Sequence, residues 1–289
     1  MAMTTLLAYP NVSEGRDATI IDAVGAAFGP GLLDVHSDPD HHRSAFTLAG
    51  DPATLPGAIT AGAVEAMARL TLDRHDGIHP RVGVLDVAPI VYVEPGQRGV
   101  AAATALVLAD RLGELGLPVF LYGTLAAGRT RAQLRRGGPD ALAARIASGE
   151  LRPDFGPGRL HPSGGAVLVA ARAPLVAFNV ELAAGATLQD ARAIAAAIRE
   201  DGADGLPGVR AIGLWLAARG CAQVSTNVED PDRVSLADVV AAVARHGTPA
   251  EAELVGLAPA AALDGFPDDV PLRGVATIEE ALARWADTA

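Results

Sequence analysis

Two stretches of this chain spell out the same succession of short β-prone runs and helical repeats, and a duplicated order of that kind leaves few folds open. In the first, Leu6 to Tyr9 reads as a strand and Ala18 to Phe28 as a helix stopped by Gly29 and Pro30. Leu32 to Val35 and Ala45 to Ala49 read as two strands separated by a polar stretch. Leu55 to Leu72 sets Ile59, Ala63, Met67 and Leu70 at helical spacing, and Val82 to Val93 is a Val/Ile-rich strand. In the second, Val176 to Leu182, Leu188 to Arg199, Val209 to Leu216, Ala222 to Asn227, Leu236 to Arg245 and Ala252 to Leu257 read as strand, helix, strand, strand, helix, strand. Ser235 is the expected N-cap of the last helix, and Gly247 ends it.

Both halves therefore read βαββαβ, the split βαβ order of ferredoxin-like domains, in an α+β protein with two subdomains. The division is expected at 1–174 and 175–289. Between the repeats lie a helix near Val100 to Leu115, a strand at Val119 to Tyr122 and a Gly/Pro/Arg-rich segment from Arg152 to Gly165. Leu263 to Ala289 reads as a helix-containing tail.

Composition excludes several chemistries. All 23 basic residues are arginine, so a Schiff-base lysine, a pyridoxal phosphate anchor and a P-loop lysine are ruled out. The single cysteine, Cys221, rules out an intrachain disulfide and a multi-cysteine zinc site; its apolar surroundings suit a packed small residue. A net charge of -11 argues against general nucleic-acid binding, while gathered arginines would still suit a small anion. No uninterrupted run of about 18 apolar residues suggests a membrane span. Met1 to Pro10 lacks the basic start and apolar core of a secretory signal, so the expected location is the cytoplasm.

Four segments concentrate polar chemistry. Tyr9 to Arg16 follows a strand and precedes a helix, placing Asn11 and Arg16 at a strand end; helix capping accounts for the same residues. His75 to Gly83 leads from a helix into a strand. Gly77 and Pro80 oppose a helix there, so His75 and His79 are no zinc-helix pair. His79, fixed by the following proline and beside Arg81, suits a general acid/base with an anion holder; a loop histidine without a role is the alternative. Pro153 to Gly165 is rich in Gly and Pro, so its backbone can approach a flat ligand, or it simply connects subdomains. Asp34 to Arg43 holds three histidines and three aspartates, which suit either a divalent ion or solvent.

Taken together, these segments resemble the glutamate formiminotransferase family, the amino-terminal half of formiminotransferase-cyclodeaminase. The matching stretches are Pro10–Arg16, Leu33-Asp34-Val35 with Arg43, Gly77–Val87, Val119–Gly123, Pro153–Pro157, Ala177–Val180, Ala222–Asn227 and Leu254–Leu257, in family order from Pro10 to Leu263. The resemblance implies two ferredoxin-like subdomains with a folate channel between them, a homodimer, and no metal. It implies His79 as the catalytic residue. Folate contacts fall on Gly156, Pro157, Gly158, Arg159, Leu160, His161, Pro162, Ser163, Gly164 and Gly165. Asn11, Arg16, Arg43 and Arg81 are candidate substrate-binding residues, guanidinium being suited to carboxylates.

The implied reaction moves a formimino group from N-formimino-L-glutamate to N5 of tetrahydrofolate, a step in histidine degradation, with His79 passing the proton. Only the transferase activity is implied, the helical cyclodeaminase portion not being matched. The sequence departs from the family where Ile78 replaces the usual glutamate, His36 an acidic residue, Val12 a phenylalanine and Gly164 a tryptophan. These changes leave two other readings in play, a different donor such as a formyl-amino acid or a non-catalytic folate-binding homologue, and the His/Asp-rich stretch leaves a third, a metal-dependent amidohydrolase using His36, His41, His42 and nearby aspartates.

Overall fold

A computed structural model describes residues 4–287. The chain divides after Arg172 into two compact units, each a sheet with helices.

In the first unit, Leu6–Ala8 and Asn11–Val12 are successive pieces of one strand, interrupted at Tyr9-Pro10. Both pair antiparallel with Arg43–Gly50, which also pairs with the edge strand Leu32–Asp38. On the other side they pair with Leu85–Val87 and Ile90–Val91. The βαββαβ order thus closes into four adjacent strands, with the first in sequence lying inside. Val167–Val169 and Ala171–Arg172 add parallel to the fourth, and Val119–Leu121 adds parallel beyond.

The helices Ala18–Phe28, Leu55–Arg69 and Arg98–Glu114 cover this sheet. Asp17 caps the first by accepting from the N–H groups of Thr19 and Ile20, and Gly29 ends it at φ 80°. Phe28 meets Phe46 with ring centroids 5.0 Å apart, inside a core that includes Leu6, Leu48, Ile59 and Leu108. Gly62 lets the first two helices close: a Cβ there would lie 2.1 Å from the Phe28 ring.

Three expectations need correction here. Val82 to Val93 is two short strands, because Pro89 has no N–H for the ladder. The polar stretch after Val35 belongs to a β-hairpin: the edge strand runs on to Asp38, and its partner starts at Arg43. Polar residues are tolerated there because the edge strand pairs on one side only. The segment after Tyr122 also holds more structure than expected. Helices Arg131–Arg135 and Gly138–Ala147 and the strands Val167–Val169 and Ala171–Arg172 were not legible. The run Val167 to Ala171 is buried throughout and so lacks the alternation that marks a half-exposed strand.

The second unit follows the sequence closely. Strands Val176–Leu182, Val209–Leu216, Cys221–Val228 and Pro249–Val255 lie in the order 209–216, 221–228, 176–182, 249–255, all antiparallel, with Leu272–Arg273 added parallel at the end. Helices Leu188–Ile198 and Leu236–Ala244 start from capping boxes at Thr187/Asp190 and Ser235/Asp238. Alternation along Val176–Leu182 packs Phe178 and Val180 with Ile194 and Val239. The other face carries Asn179 and Glu181. The tail contains helix Ile278–Ala286, N-capped by Thr277.

Candidate active site

The loop from His75 to Gly83 is fixed by its own polar groups. Arg81 donates from Nη1 to the Gly77 carbonyl at 3.0 Å and from Nη2 to the His75 carbonyl. His75 Nδ1 accepts the Gly77 N–H at 3.1 Å, which leaves the proton on Nε2 to donate to the His42 carbonyl at 2.7 Å. The His75 and His42 rings stack at 4.3 Å. Burial, with Arg81 and His42 adding, brings the His75 pKa down to about 4 against the opposing hydrogen bond to His42. Gly77 sits so close to the hairpin that a Cβ would lie 2.4 Å from the His41 carbonyl.

His79 therefore projects from a clamped loop. Burial holds its pKa well below the ordinary imidazole value; Arg43, Arg135 and His41 push the same way, and the Pro80 backbone opposes them. The ring is neutral at neutral pH and free to accept a proton. Its buried Nδ1 makes no hydrogen bond, and the His41 ring lies 5.8 Å away.

Beside it is a charge centre built on Asp86, which is fully buried. Its strand, Leu85–Val87, is flanked on both sides by other strands, so the carboxylate meets no bulk water. Asp86 accepts from the Val82 N–H at 2.8 Å, from Arg43 Nη1 at 2.6 Å and from Arg135 Nη2. Burial pushes its carboxyl up, but Arg135, Arg43 and the hydrogen bonds outweigh it and the net shift is down. Arg43 also donates from Nε to Asn11 Oδ1 at 2.8 Å, while Asn11 Nδ2 holds the Tyr9 carbonyl at 2.9 Å. Arg135 ends the short helix Arg131–Arg135, whose last carbonyls at Leu134 and Gln133 are held by Arg145.

The other two candidate arginines have different surroundings. Arg16 pairs with Asp76 at 2.6 Å and donates from Nε to the Pro39 carbonyl at 2.9 Å, tying the first loop to the other two at the surface. Arg81 gives both Nη groups to carbonyls of its own loop, while its buried Nε has no hydrogen-bond partner. Glu14 organises the first loop by accepting the N–H groups of Gly15, Arg16 and Asp17 at 2.8, 2.7 and 3.1 Å.

The structure brings the end of the glycine-rich segment to the residues that lead from His79 into the strand Leu85–Val87. Val84 donates to the Gly164 carbonyl at 2.9 Å, Ala166 to Val82 at 2.9 Å, and Leu72 to Ser163 at 3.0 Å. Gly165, at φ 70°, has room for no Cβ: one would lie 2.2 Å from the Val82 carbonyl. His161 Nδ1 accepts the Gly164 N–H at 3.0 Å, and Gly164 is buried. Gly156, Gly158, Arg159 and Pro162 are exposed, with nothing within 4 Å of where a Gly158 Cβ would stand.

The His-rich stretch from Asp34 to Arg43 is the hairpin already described, with Asp38 accepting the His41 N–H at 2.7 Å. Among the described residues no three His, Cys, Asp or Glu side chains converge as metal ligands do. Nor is any described helix long and apolar enough to cross a membrane.

Asp86 and Arg135 went unassigned in the sequence. Asp86 had a signal, being the one charge in the apolar run Val82 to Val93. Arg131 and Arg135, four apart, would share a face of any helix there, but the helix itself was not recognised.

The class is thus a two-unit α+β protein whose first unit sets a neutral imidazole beside an arginine-rich centre. The family follows from comparison with known proteins. The model of the formiminotransferase domain, N-terminal subdomain, matches residues 5–172, and that of the formiminotransferase domain matches residues 177–265. The chain belongs to the formiminotransferase family. A formimidoyltransferase-cyclodeaminase of Sus scrofa is 39% identical over 273 residues, which are 88% of this chain and 50% of the relative. A glutamate formimidoyltransferase of Streptococcus pyogenes serotype M1 is 35% identical over 267 residues, covering 88% of this chain and 89% of the relative. One from Thermoplasma acidophilum is 34% identical over 277 residues, 90% of each chain. The chain spans about half the length of the formimidoyltransferase-cyclodeaminase and about nine-tenths of the two glutamate formimidoyltransferases.

Proposed function

We propose that this protein is a glutamate formimidoyltransferase: it moves the formimino group of N-formimino-L-glutamate to N5 of tetrahydrofolate. Support comes from the family match along both units and from the two relatives of similar extent that carry this name. The observation that carries the chemistry is the His79 imidazole, its Nδ1 buried without a hydrogen-bond partner, on a clamped loop whose following residues Val82 and Val84 are hydrogen-bonded to Ala166 and Gly164.

Tetrahydrofolate supplies the attacking amine. The exposed backbone at Gly158 leaves open surface for a flat ring, and the exposed Arg159 offers a cation to an anionic tail. The rest of Gly156 to Gly165 completes the folate segment. His79 takes the proton that N5 sheds as the new carbon–nitrogen bond forms. It then returns that proton to the glutamate nitrogen as the old bond breaks, so the imidazole ends neutral as it began. Asn11 orients Arg43. Arg16 and Arg81 hold the loops in place and set the position of His79. Cytoplasmic location, homodimeric assembly, a place in histidine degradation and a reaction without a metal belong to the same reading.

A transfer assay with both substrates, followed by acidification and the absorbance of the methenyl folate, tests it. The expected result is turnover that falls by about 10²- to 10⁴-fold in His79→Ala. Folate binding without turnover would sink the glutamate donor, leaving a different one-carbon donor or a non-catalytic folate binder.

A further inference from the structure

The trio Arg43–Asp86–Arg135 is unbalanced. Two guanidiniums, 12% and 11% exposed, share one carboxylate that is fully buried. His79, neutral beside them, offers no compensation. A structural role for Asp86 would need one arginine, since a single partner already neutralises it; a second buried guanidinium costs several kcal/mol in desolvation unless another anion meets it. One donor marks where that anion would sit: Arg135 Nε is buried without a hydrogen-bond partner, as is Arg81 Nε on the His79 loop.

Resting on the transferase reading, we infer that Arg135, with Arg43 across Asp86, receives a carboxylate of the amino-acid donor beside His79. Asp86 is the positioning residue: it holds both guanidiniums apart and turned to one place. The carboxylate is the planar anion that a guanidinium edge binds with two N–H groups, and the donor carries two of them. Its arrival would balance the trio and set the formimino nitrogen near the base.

The test is steady-state kinetics of Arg135→Gln and Arg135→Lys, with Arg136→Gln as the neighbouring control, since Arg136 is 75% exposed at the side chain. The expected result for Arg135→Gln is a donor KM raised about 10- to 100-fold, with the tetrahydrofolate KM unchanged. Arg135→Lys should recover part of the loss, and Arg136→Gln should match the parent. A donor KM unchanged in Arg135→Gln while the parent turns over would overturn the inference and leave the transferase reading intact. Should the parent not turn over, calorimetric titration of L-glutamate into tetrahydrofolate-saturated protein decides instead. Binding lost in Arg135→Gln supports the carboxylate site without that activity; binding retained, or absent from the parent, sinks it. Should Arg135→Gln fail to fold, Arg135→Lys carries both measurements, with a raised donor KM expected and an unchanged one overturning.

Discussion

Both units bury carboxylates against arginines, and they do it with opposite arithmetic. In the first, Asp86 alone faces Arg43 and Arg135. In the second, Glu181, Glu251 and Glu253 on adjacent strands face Arg219 and Arg273. Each of those carboxylates has a guanidinium within 3.0 Å, and Asn179 donates to Glu253 at 3.1 Å. Even Cys221 is drawn in: burial and Glu181 push its thiol pKa up. The second network has more acids than bases, and its arginines are 40% and 35% exposed, so water shares the load. The first has an excess of cation and almost no water. A closed network fastens a sheet face; an open one is set for a ligand.

The largest expected effect tests that difference directly. Asp86→Ala leaves two buried guanidiniums facing each other, so it should cost about 3–5 kcal/mol of unfolding free energy. Urea denaturation measures it. A loss below about 1 kcal/mol would mean that water reaches the trio, and the contrast between the units would fail.

Next in size is a pH effect confined to the first unit. His75 sits at about 4 against an ordinary 6.5, so the folded chain refuses a proton that the unfolded chain accepts. Its contribution to stability is therefore neutral above 6.5, turns unfavourable as pH falls from 6.5 to about 4, and levels off below. Discounted for the partial exposure of the ring, the swing is on the order of 1–2 kcal/mol. The difference between parent and His75→Gln, followed by denaturation across this range, should slope only inside that window. A flat difference would show that the His75–Gly77–His42 clamp does not hold the imidazole neutral.

How far the sequence could reach follows the same division. The second unit was legible because its elements announce themselves: the β-prone run from Val176 to Leu182, the cap at Ser235 and the stop at Gly247. In the first unit the loop with His79 was legible from Gly77 and Pro80, and so was the proximity of a cation. The partners of that cation were not. Arg81 lies next in sequence yet turns back on its own loop, whereas Arg135 comes from a helix 49 residues beyond Asp86. Local pattern marks which segment is a loop; only the closed sheet says which distant arginine shares its carboxylate. The same holds for Asp34 to Arg43, where residue types suited to a metal are spent on a hairpin.

The smallest effect is expected at the rim of the second network. Glu251 pairs with Arg219 at 2.6 Å and with Arg273 at 3.0 Å, but its side chain is 26% exposed and both arginines keep Glu181 as a second partner. Removing its charge by Glu251→Gln leaves Arg219 and Arg273 paired and hydrated, so the cost should stay below about 1 kcal/mol. Glu181, 6% exposed and bound to both arginines, is the internal standard: Glu181→Gln should cost more, about 1–2 kcal/mol, yet less than Asp86→Ala. The three substitutions measured under one set of conditions rank burial against redundancy of partners. If Glu251→Gln cost as much as Asp86→Ala, the second network would be as dry as the first, and the excess of arginine at Asp86 would lose its meaning as a mark of a ligand site.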